Sequence, residues 1–402
     1  MSKQLALCAI AMALCATSAN AQDWTQLADM PGPGRHHAVT FVLDGYGYAA
    51  TGTTTSTGTS DDFYRYDPST NTWEILPDFP GPDRSYAYGG TYGNKAYLGF
   101  GIAGVYLNDL WEYDPEDGAW TQLASLPGAG RTHPAFIITD DGKIFVGTGG
   151  GAGGNLRDWW EYSIANNTWV RRADLTGPTR HHPFYFNIGN VPYVGFGHGA
   201  LIYNDFYRFD PVNLTWTRMQ DFPAEGRVAG TQFSYGGKGY VLSGQGDDHD
   251  YLPTGEFWEY DPTADSWVQL PPHPGSGRWA PASWVIDGVV YIMSGTSTVR
   301  QEHDLWKYEL RDPSSAGGAD GRELALTLYP NPVMGDRIQM LRLPEGFEDA
   351  SVRLLGADGR RIGTLQNDGV ALQLPQGLST GKYFLTFSAP SGIVSRSITV
   401  MR

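Results

Sequence analysis

The chain has 402 residues, among them 52 glycines, 26 prolines and 13% aromatic residues, and its formal net charge is -15. This composition is typical of many short strands joined by turns and does not fit a helical protein. The negative charge repels phosphate backbones, so we expect no nucleic-acid partner.

The first segment, residues 1–21, has the features of a signal peptide. Lys3 supplies the positive charge, an apolar run follows, and Ala19 and Ala21 form a small-x-small cleavage site. The apolar run is too short to span a bilayer, so no transmembrane segment is predicted. Both cysteines lie in this segment, so the exported chain would contain no disulfide.

Residues 22–310 consist of a repeated unit. Each unit has a third strand rich in aromatic residues, an Asp-Pro turn, a fourth strand that opens on tryptophan, and a Pro-Gly loop that ends in arginine; the clearest copy runs from Asp109 to Arg131. The tryptophans recur every 47–51 residues, as Trp24, Trp73, Trp120, Trp169, Trp216 and Trp267. A period near 50 with four strands in each unit indicates a β-propeller.

The unit resembles the kelch repeat, because a glycine-rich end of the second strand is followed by tyrosine and then by the outer-strand tryptophan. Kelch units usually have a Gly-Gly pair at this place, whereas here the glycines are single or spaced, as in Gly52 and Gly99/Gly101. Six arginines open six units, and the last unit stops at its third strand. We therefore predict an all-β, six-bladed kelch-type β-propeller in which residues 24–27 complete the sixth blade and close the ring.

The rest of the chain reads as a linker, residues 311–322, and a second domain, residues 323–402. Short alternating runs predict that this domain is a small antiparallel β-sandwich. Its opening Tyr329-Pro-Asn-Pro332 and a later Gly381-Lys-Tyr383 closely resemble the C-terminal sorting domain of type IX secretion cargo. The resemblance implies recognition by the type IX secretion machinery, and a protein that is secreted or held at the cell surface. A carbohydrate-binding sandwich is the alternative.

The loops from strand four to strand one and from strand two to strand three open on the same face of a propeller, where ligands usually bind. All nine histidines are predicted in these loops or at the start of a first strand, and none in an outer strand. The candidate binding residues belong to the same loops. They are Arg35, His36, Arg84, Arg131, His133, Arg180, His181, Arg227, Tyr251, Arg278 and Trp279.

Two interpretations of the six loop arginines stay open. An arginine at the start of an inner strand can bind loop carbonyls or a carboxylate and so support the scaffold, which we favour for most of them. Alternatively, guanidinium forks around the channel mouth would bind the carboxylates of an acidic sugar or peptide. Tyr251 and Trp279 are expected to be partly exposed, where their rings would stack on sugars.

No cofactor is predicted, and no metal site. The Arg35-His-His37 and Arg180-His-His182 triplets should face each other across the channel mouth, but opposite blades are expected to hold them too far apart for one ion unless the loops dip inward. Asp247, Asp248 and Asp250 offer oxygen ligands for Ca²⁺ without the spacing of an EF-hand, and a solvated loop is favoured there. Glu225 is the one candidate acid or base, with exposure at the rim as the favoured interpretation.

These features favour an exported module that binds a glycan or a protein segment over an enzyme. One alternative is a sugar-active enzyme, since the size, export and blade number resemble those of sialic acid epimerases, although their motif is not matched residue by residue. A structural or adhesive surface component is another. The expected exported chain has no cysteine, which argues strongly against the kelch-type copper radical oxidases, whose cofactor needs a Cys–Tyr crosslink.

Overall fold

The computed structural model describes residues 24–56, 58–310, 327–329, 333–342, 350–356, 361–365, 371–389 and 392–402. The chain divides into one unit at Gln22–Leu310 and a second that contains Arg311–Arg402. The predicted signal peptide, the predicted linker and the Pro-Asn-Pro part of the sorting motif lie outside the described residues. Within those residues, no helix has the length and apolar character needed to cross a membrane.

The first unit is a ring of six antiparallel sheets, each with four blade strands and one with an additional short strand, which confirms the predicted all-β, six-bladed propeller. The strands of blades 1 to 3 are Val39–Leu43, Tyr46–Thr54, Gly58–Asp67 and Thr72–Leu76; Tyr88–Tyr92, Lys95–Gly99, Leu110–Asp114 and Ala119–Gln122; Ala135–Thr139, Lys143–Gly147, Trp159–Ser163 and Thr168–Arg172. The first strand of each blade contacts the first strands of both neighbouring blades, so these strands surround a central channel.

Blades 4 to 6 repeat the arrangement. Their strands are Phe184–Ile188, Val191–Gly195, Phe206–Asp210 and Thr215–Arg218; Thr231–Tyr235, Lys238–Leu242, Gly255–Asp261 and Ser266–His273; Ala282–Ile286, Val289–Met293, Leu305–Glu309 and Thr25–Gln26. Three short elements lie on the loop face: Arg35–His36, which pairs with the second strand of blade 1, the hairpin of Gly150–Gly151 with Gly154–Asn155, and the 3-10 turn Asp247–His249.

The N-terminal strand closes the ring as predicted. Thr25–Gln26 pairs antiparallel with Leu305–Glu309 and becomes the outer strand of blade 6. Trp24 fixes this strand, since its ring centroid lies 5.1 Å from that of Tyr308 and its indole N–H donates to the carbonyl of Pro271 at 3.3 Å. This pairing supplies the fourth strand of blade 6 and covers the edge that Leu305–Glu309 would otherwise present to another chain.

The outer-strand tryptophans fasten neighbouring blades to each other. The indole N–H of Trp169 in blade 3 donates to the carbonyl of Ala124 in the loop before that blade, at 2.7 Å. The side chain of Asn167 accepts from the backbone N–H of the same alanine at 2.8 Å and from the hydroxyl of Tyr162 at 2.7 Å. The aromatic and turn residues of the repeat therefore belong to the scaffold, which explains why they recur in most blades.

The second unit contains two antiparallel sheets. One has the order Thr327–Tyr329, Arg337–Arg342, Ala371–Gln373, and the other has the order Arg361–Leu365, Ser351–Gly356, Gly381–Ala389, Gly392–Val400. Buried side chains from both sheets belong to one apolar core, among them Ile338 and Leu372 from the first and Val352, Leu385 and Phe387 from the second.

Candidate functional site

Each loop arginine is buried inside its own blade and paired with a carboxylate. Arg84 donates from both terminal nitrogens to the two oxygens of Asp109, each at 2.7 Å, and also to the carbonyl of Phe100 at 3.1 Å. The pairing recurs in every blade: Arg35–Asp62, Arg84–Asp109, Arg131–Asp158, Arg180–Asp205, Arg227–Glu256 and Arg278–Asp304. The six guanidinium groups thus hold each arginine loop against the third strand of its blade. They are buried, whereas binding a ligand would require them to face solvent.

The carboxylate of each pair is also bound by an aromatic side chain two residues later in the sequence. The indole N–H of Trp160 donates to Asp158 at 2.7 Å, as the hydroxyl of Tyr207 does to Asp205 at 3.0 Å. Burial alone would raise the pKa of the Asp158 carboxyl, but the hydrogen bond and charge of Arg131 and the bond from Trp160 bring it below its usual value. The acid therefore stays ionised and the guanidinium stays compensated at neutral pH.

The residue two positions after each arginine has a left-handed backbone. These residues and their φ angles are His37 (57°), Tyr86 (62°), His133 (49°), His182 (51°), Ala229 (51°) and Ala280 (50°). The N–H of His133 donates to the carbonyl of Tyr86 at 3.1 Å, and the N–H of His182 donates to that of His133 at 3.2 Å. We call these six residues the axial belt, because their backbones follow one another around the mouth of the channel.

The axial belt brings together histidines from opposite sides of the ring. The Nε2 atoms of His37 in blade 1 and His182 in blade 4 are 2.7 Å apart, and the ring centroids of His133 and His182 are 3.5 Å apart. The two Arg-His-His triplets therefore face each other as predicted. The expectation that opposite blades hold them too far apart is wrong, because the left-handed turn after each arginine directs the belt toward the axis.

The histidines outside the belt extend this cluster into a row across the loop face. His36 contacts His37 through their Nδ1 atoms at 2.6 Å, His181 lies 5.1 Å from His198 between ring centroids, and His198 lies 4.7 Å from His249. Seven of the nine histidines belong to the row: His36, His37, His133, His181, His182, His198 and His249.

The remaining two histidines lie elsewhere. His273 is the last residue of the outer strand of blade 5, so the prediction that no histidine lies in an outer strand is wrong. Its ring contacts the hydroxyl of Ser243 at 3.0 Å and the carbonyl of Pro274 at 2.9 Å. His303 contacts the carbonyl of Met30.

Burial keeps most of the row uncharged. It lowers the pKa of His37, His133 and His182 well below the usual value, and neighbouring histidines lower it further. Burial also lowers the pKa of His36 and His181 to about 4. At neutral pH these side chains are neutral imidazoles, which is the form that accepts hydrogen bonds and binds metals.

The predicted carboxylates of the loop face are all exposed. Glu225, as expected, lies at the rim and accepts a hydrogen bond from the backbone N–H of Asp247 at 3.2 Å. Asp247, Asp248 and Asp250 are all exposed. Across the described part of the chain, the only group of three or more metal-ligating side chains whose ligand atoms converge is His37, His133 and His182, all within 4.8 Å of one another.

An open recess of about 720 Å³ lies beside the histidine row, between the loops of blades 4 and 5. It is lined by His198, Ala200, Leu201, Ile202, Asn204, Glu225, Gly226, Asp247, Asp248 and His249. A narrower cavity of about 120 Å³ lies in the channel and is lined by His37, Thr40, Tyr88, Tyr185, Thr231 and Ser283, among others.

Tyr251 and Trp279 are both partly exposed, as predicted. Trp279 lies against the histidine row, with its ring 4.5 Å from that of His36. The candidate residues from the sequence omitted His37 and His182, although His36, His133 and His181 were included. Both omitted residues lie two positions after a loop arginine, but it is the structure that shows this position to form the axial belt.

Comparison with known proteins agrees with this architecture. The model of the Attractin/LZTR1 beta-propeller family matches residues 48–306, more than half of the chain. A solved structure described as "Structure of YjhT" superposes with a TM-score of 0.59 at 15% identity, over 69% of this chain and 96% of that one. At this identity the likeness concerns the fold alone. No curated protein sequence matches the chain. The chain therefore belongs to the Attractin/LZTR1 beta-propeller family, whose repeats are of the kelch type.

Proposed function

We propose that this protein is an exported binding module that holds a neutral or amine-bearing glycan on the loop face of its propeller. The observation that carries the proposal is the open recess of about 720 Å³ beside the histidine row. Its volume falls in the range of roughly 300–1,000 Å³ that is usual for ligand pockets. Its lining combines carboxylates, an amide, imidazoles and apolar side chains, a mixture suited to sugar hydroxyls and C–H faces.

The charge of the recess favours neutral or basic ligands over acidic ones. Glu225, Asp247 and Asp248 contribute carboxylates, while burial lowers the pKa of His198 and so disfavours its positive form. The six loop arginines, which would have bound an acidic sugar, are already occupied by carboxylates of their own blades. Leu201 is 59% exposed at the edge of the recess and offers an apolar surface to a sugar ring.

The proposal is tested by glycan-array binding of the purified, tag-free chain, followed by titration of the best ligand against variants. We expect Glu225→Gln and Asp247→Asn each to weaken binding by about tenfold, since each removes a charged acceptor. Glu116→Gln is the matched control, because Glu116 is exposed in a turn between the third and fourth strands, away from the loop face. The absence of any glycan ligand, or equal affinities for all three variants, would overturn the proposal.

Two further probes separate the alternatives. Binding to a peptide array without glycan binding would identify a module for protein segments. Sialic acid anomers belong in the same series: accelerated interconversion that is lost in Glu225→Gln, with binding retained, would identify a sugar-active enzyme. An unchanged rate of anomer interconversion would exclude the sugar-active enzyme.

We propose further that type IX secretion delivers the protein to the medium or the cell surface. The support is the resemblance of residues 323–402 to sorting domains. Deletion of these residues should leave the propeller in the periplasm, whereas the full chain should be found outside the outer membrane. Equal export of both forms, measured by fractionation and immunoblotting, would contradict this route.

A further inference from the structure

We propose that His37, His133 and His182 form a binding site for a divalent transition metal, with Zn²⁺ as the best-fitting ion. The site lies in the axial belt at the mouth of the channel. It goes beyond the proposed glycan recess, because none of these three residues lines that recess. Each proposal can therefore fail without the other.

The distances among the three imidazoles suit a single ion. Their ligand atoms all lie within 4.8 Å of one another, and the Nε2 atoms of His37 and His182 are 2.7 Å apart. Histidine nitrogens bound to Zn²⁺ at about 2.0–2.1 Å in a tetrahedron are about 3.4 Å from each other. The observed distances lie on both sides of this value, so modest side-chain rotations bring all three nitrogens to one ion.

The hydrogen bonding of His133 provides a second and independent observation. His133 is 9% exposed, yet neither ring nitrogen has a hydrogen-bond partner within the described structure. An unsatisfied buried polar group costs about 1–3 kcal/mol. Its ring instead packs against the rings of Tyr86 and His182, with centroids 4.3 Å and 3.5 Å away. A metal bond would satisfy one of these nitrogens at a point where no protein group does so.

A neighbouring side chain also orients one of the ligands. The Nδ1 atom of His37 contacts the Nδ1 atom of His36 at 2.6 Å, which leaves Nε2 of His37 directed toward His182. Metal-binding histidines generally use their other ring nitrogen in such a hydrogen bond, which fixes the tautomer and the ring orientation. His36 therefore acts as a positioning residue, and it is itself packed against Trp279.

The ligand set selects the class of metal. Three imidazoles with no carboxylate suit borderline ions such as Zn²⁺, Co²⁺, Ni²⁺ and Cu²⁺, whereas Ca²⁺ and Mg²⁺ require oxygen ligands. Three protein ligands leave one tetrahedral position for water or a small anion. The channel cavity of about 120 Å³, which His37 and the hydroxyl-bearing Thr40, Thr231 and Ser283 line, has room for such a group.

The site is tested on the tag-free full chain after removal of metals with EDTA. Titration calorimetry with zinc chloride should show one equivalent of bound Zn²⁺ for each chain. His133→Ala and His182→Ala should each weaken binding by at least about 100-fold, more than the loss of an outer-sphere partner usually does. His303→Ala is the matched control, since His303 lies outside the histidine row, and its affinity should equal that of the wild type.

Cobalt substitution and diffraction give readouts that do not depend on the variants. Bound Co²⁺ should show the intense visible absorption of a tetrahedral site, and anomalous diffraction from a Zn²⁺-soaked crystal should place the peak among the three belt histidines. No stoichiometric binding, unchanged affinity in folded His133→Ala, or a peak at His198 and His249 would each overturn the proposal. If both alanine variants failed to fold, the position of the anomalous peak in the wild type would decide the question.

Discussion

The guanidinium group of Arg84 binds both carboxylate oxygens of Asp109, with two N–O distances of 2.7 Å. The arginine side chain is fully buried and that of Asp109 is 12% exposed. Two parallel charge-assisted hydrogen bonds of this kind fix orientation as well as distance. Because Arg84 lies in the loop before the first strand and Asp109 lies immediately before the third, the pair joins the loop face to the sheet of blade 2.

Asp109→Asn should destabilise the propeller by about 3 kcal/mol, because it leaves a buried guanidinium without a counter-charge. Urea unfolding followed by tryptophan fluorescence measures the effect. The control is Asp174→Asn, which breaks the exposed pair of Arg171 and Asp174 and should cost less than about 1 kcal/mol. Similar losses in the two variants would contradict the structural role of the buried pair.

The blade number and the closure of the ring were predictable because the scaffold contacts recur. Most blades need an outer-strand tryptophan fastened to the preceding blade, as Trp169 is to Ala124. The 47–51-residue period of the tryptophans therefore reflects the contact between neighbouring blades. The carboxylate partner of each arginine is also visible in the sequence, as an acid two residues before an aromatic residue of the third strand. Pairing this acid with the arginine required knowing that the arginine is buried, and the sequence does not show that burial.

The convergence of the histidines was not predictable in the same way. It depends on left-handed backbone at six positions that hold histidine, tyrosine or alanine and no glycine. Such residues give no local sign of a positive φ, and the surrounding structure enforces it at a cost of about 1–3 kcal/mol each. His37 and His182 belong to loops on opposite sides of the ring, and without that turn their side chains would not meet.

Where kelch repeats have a Gly-Gly pair after the second strand, each blade here has another residue at the first position and glycine at the second, and the second position is the one that requires glycine. The first position has a positive φ but is occupied by other residues, namely Thr51, Phe100, Thr148, Phe196, Ser243 and Ser294. At the second position Gly101 has φ +91°, and an added Cβ would lie close to the carbonyl oxygen of Ser85 and 3.0 Å from the backbone nitrogen of Ala87. Both obstacles are backbone atoms, which cannot rotate away.

Gly101→Ala should therefore lower the free energy of unfolding by about 2–3 kcal/mol. The matched control is Gly153→Ala, because a Cβ at Gly153 would meet no atom within 4 Å. That variant should stay within about 0.5 kcal/mol of the wild type. The comparison is made by thermal and urea unfolding, and a neutral Gly101→Ala would show that the turn after the second strand tolerates a side chain.

Trp24→Ala should open the ring at blade 6. The substitution removes the packing of Trp24 on Tyr308 and Phe257 and the hydrogen bond to Pro271, and should cost about 3 kcal/mol. Trp24→Phe keeps an aromatic ring, loses the hydrogen bond and should cost about 1 kcal/mol. Ile75→Ala is the control, since Ile75 is 69% exposed on the outer strand of blade 1. Hydrogen exchange should accelerate first in Leu305–Glu309, and uniform acceleration across all six blades would contradict closure by this strand.

His273 should make the stability of the propeller depend on pH below neutrality. Its Nδ1–H donates to the carbonyl of Pro274, so Nε2 accepts from the hydroxyl of Ser243 and the ring is neutral in the folded state. Burial, followed by the charge of Arg278, lowers the pKa of His273 from 6.5 to about 4. Between these two values the unfolded chain binds more protons than the folded one, so stability is complete above pH 6.5 and falls as the pH drops toward 4.

The slope that His273 adds to the unfolding free energy is at most about 1.4 kcal/mol for each pH unit in this window. His273→Gln removes the titrating group, so its unfolding free energy should fall less steeply than that of the wild type between pH 6 and pH 4.5. The unfolding free energies of the two proteins are compared by urea unfolding at several pH values. At pH 8, the reference, the difference between them reports only the lost contacts to Ser243 and Pro274. The other histidines contribute equally to both slopes and cancel in the comparison. Parallel profiles would show that His273 takes up no proton on unfolding, whereas converging profiles at low pH would identify it as one source of acid instability.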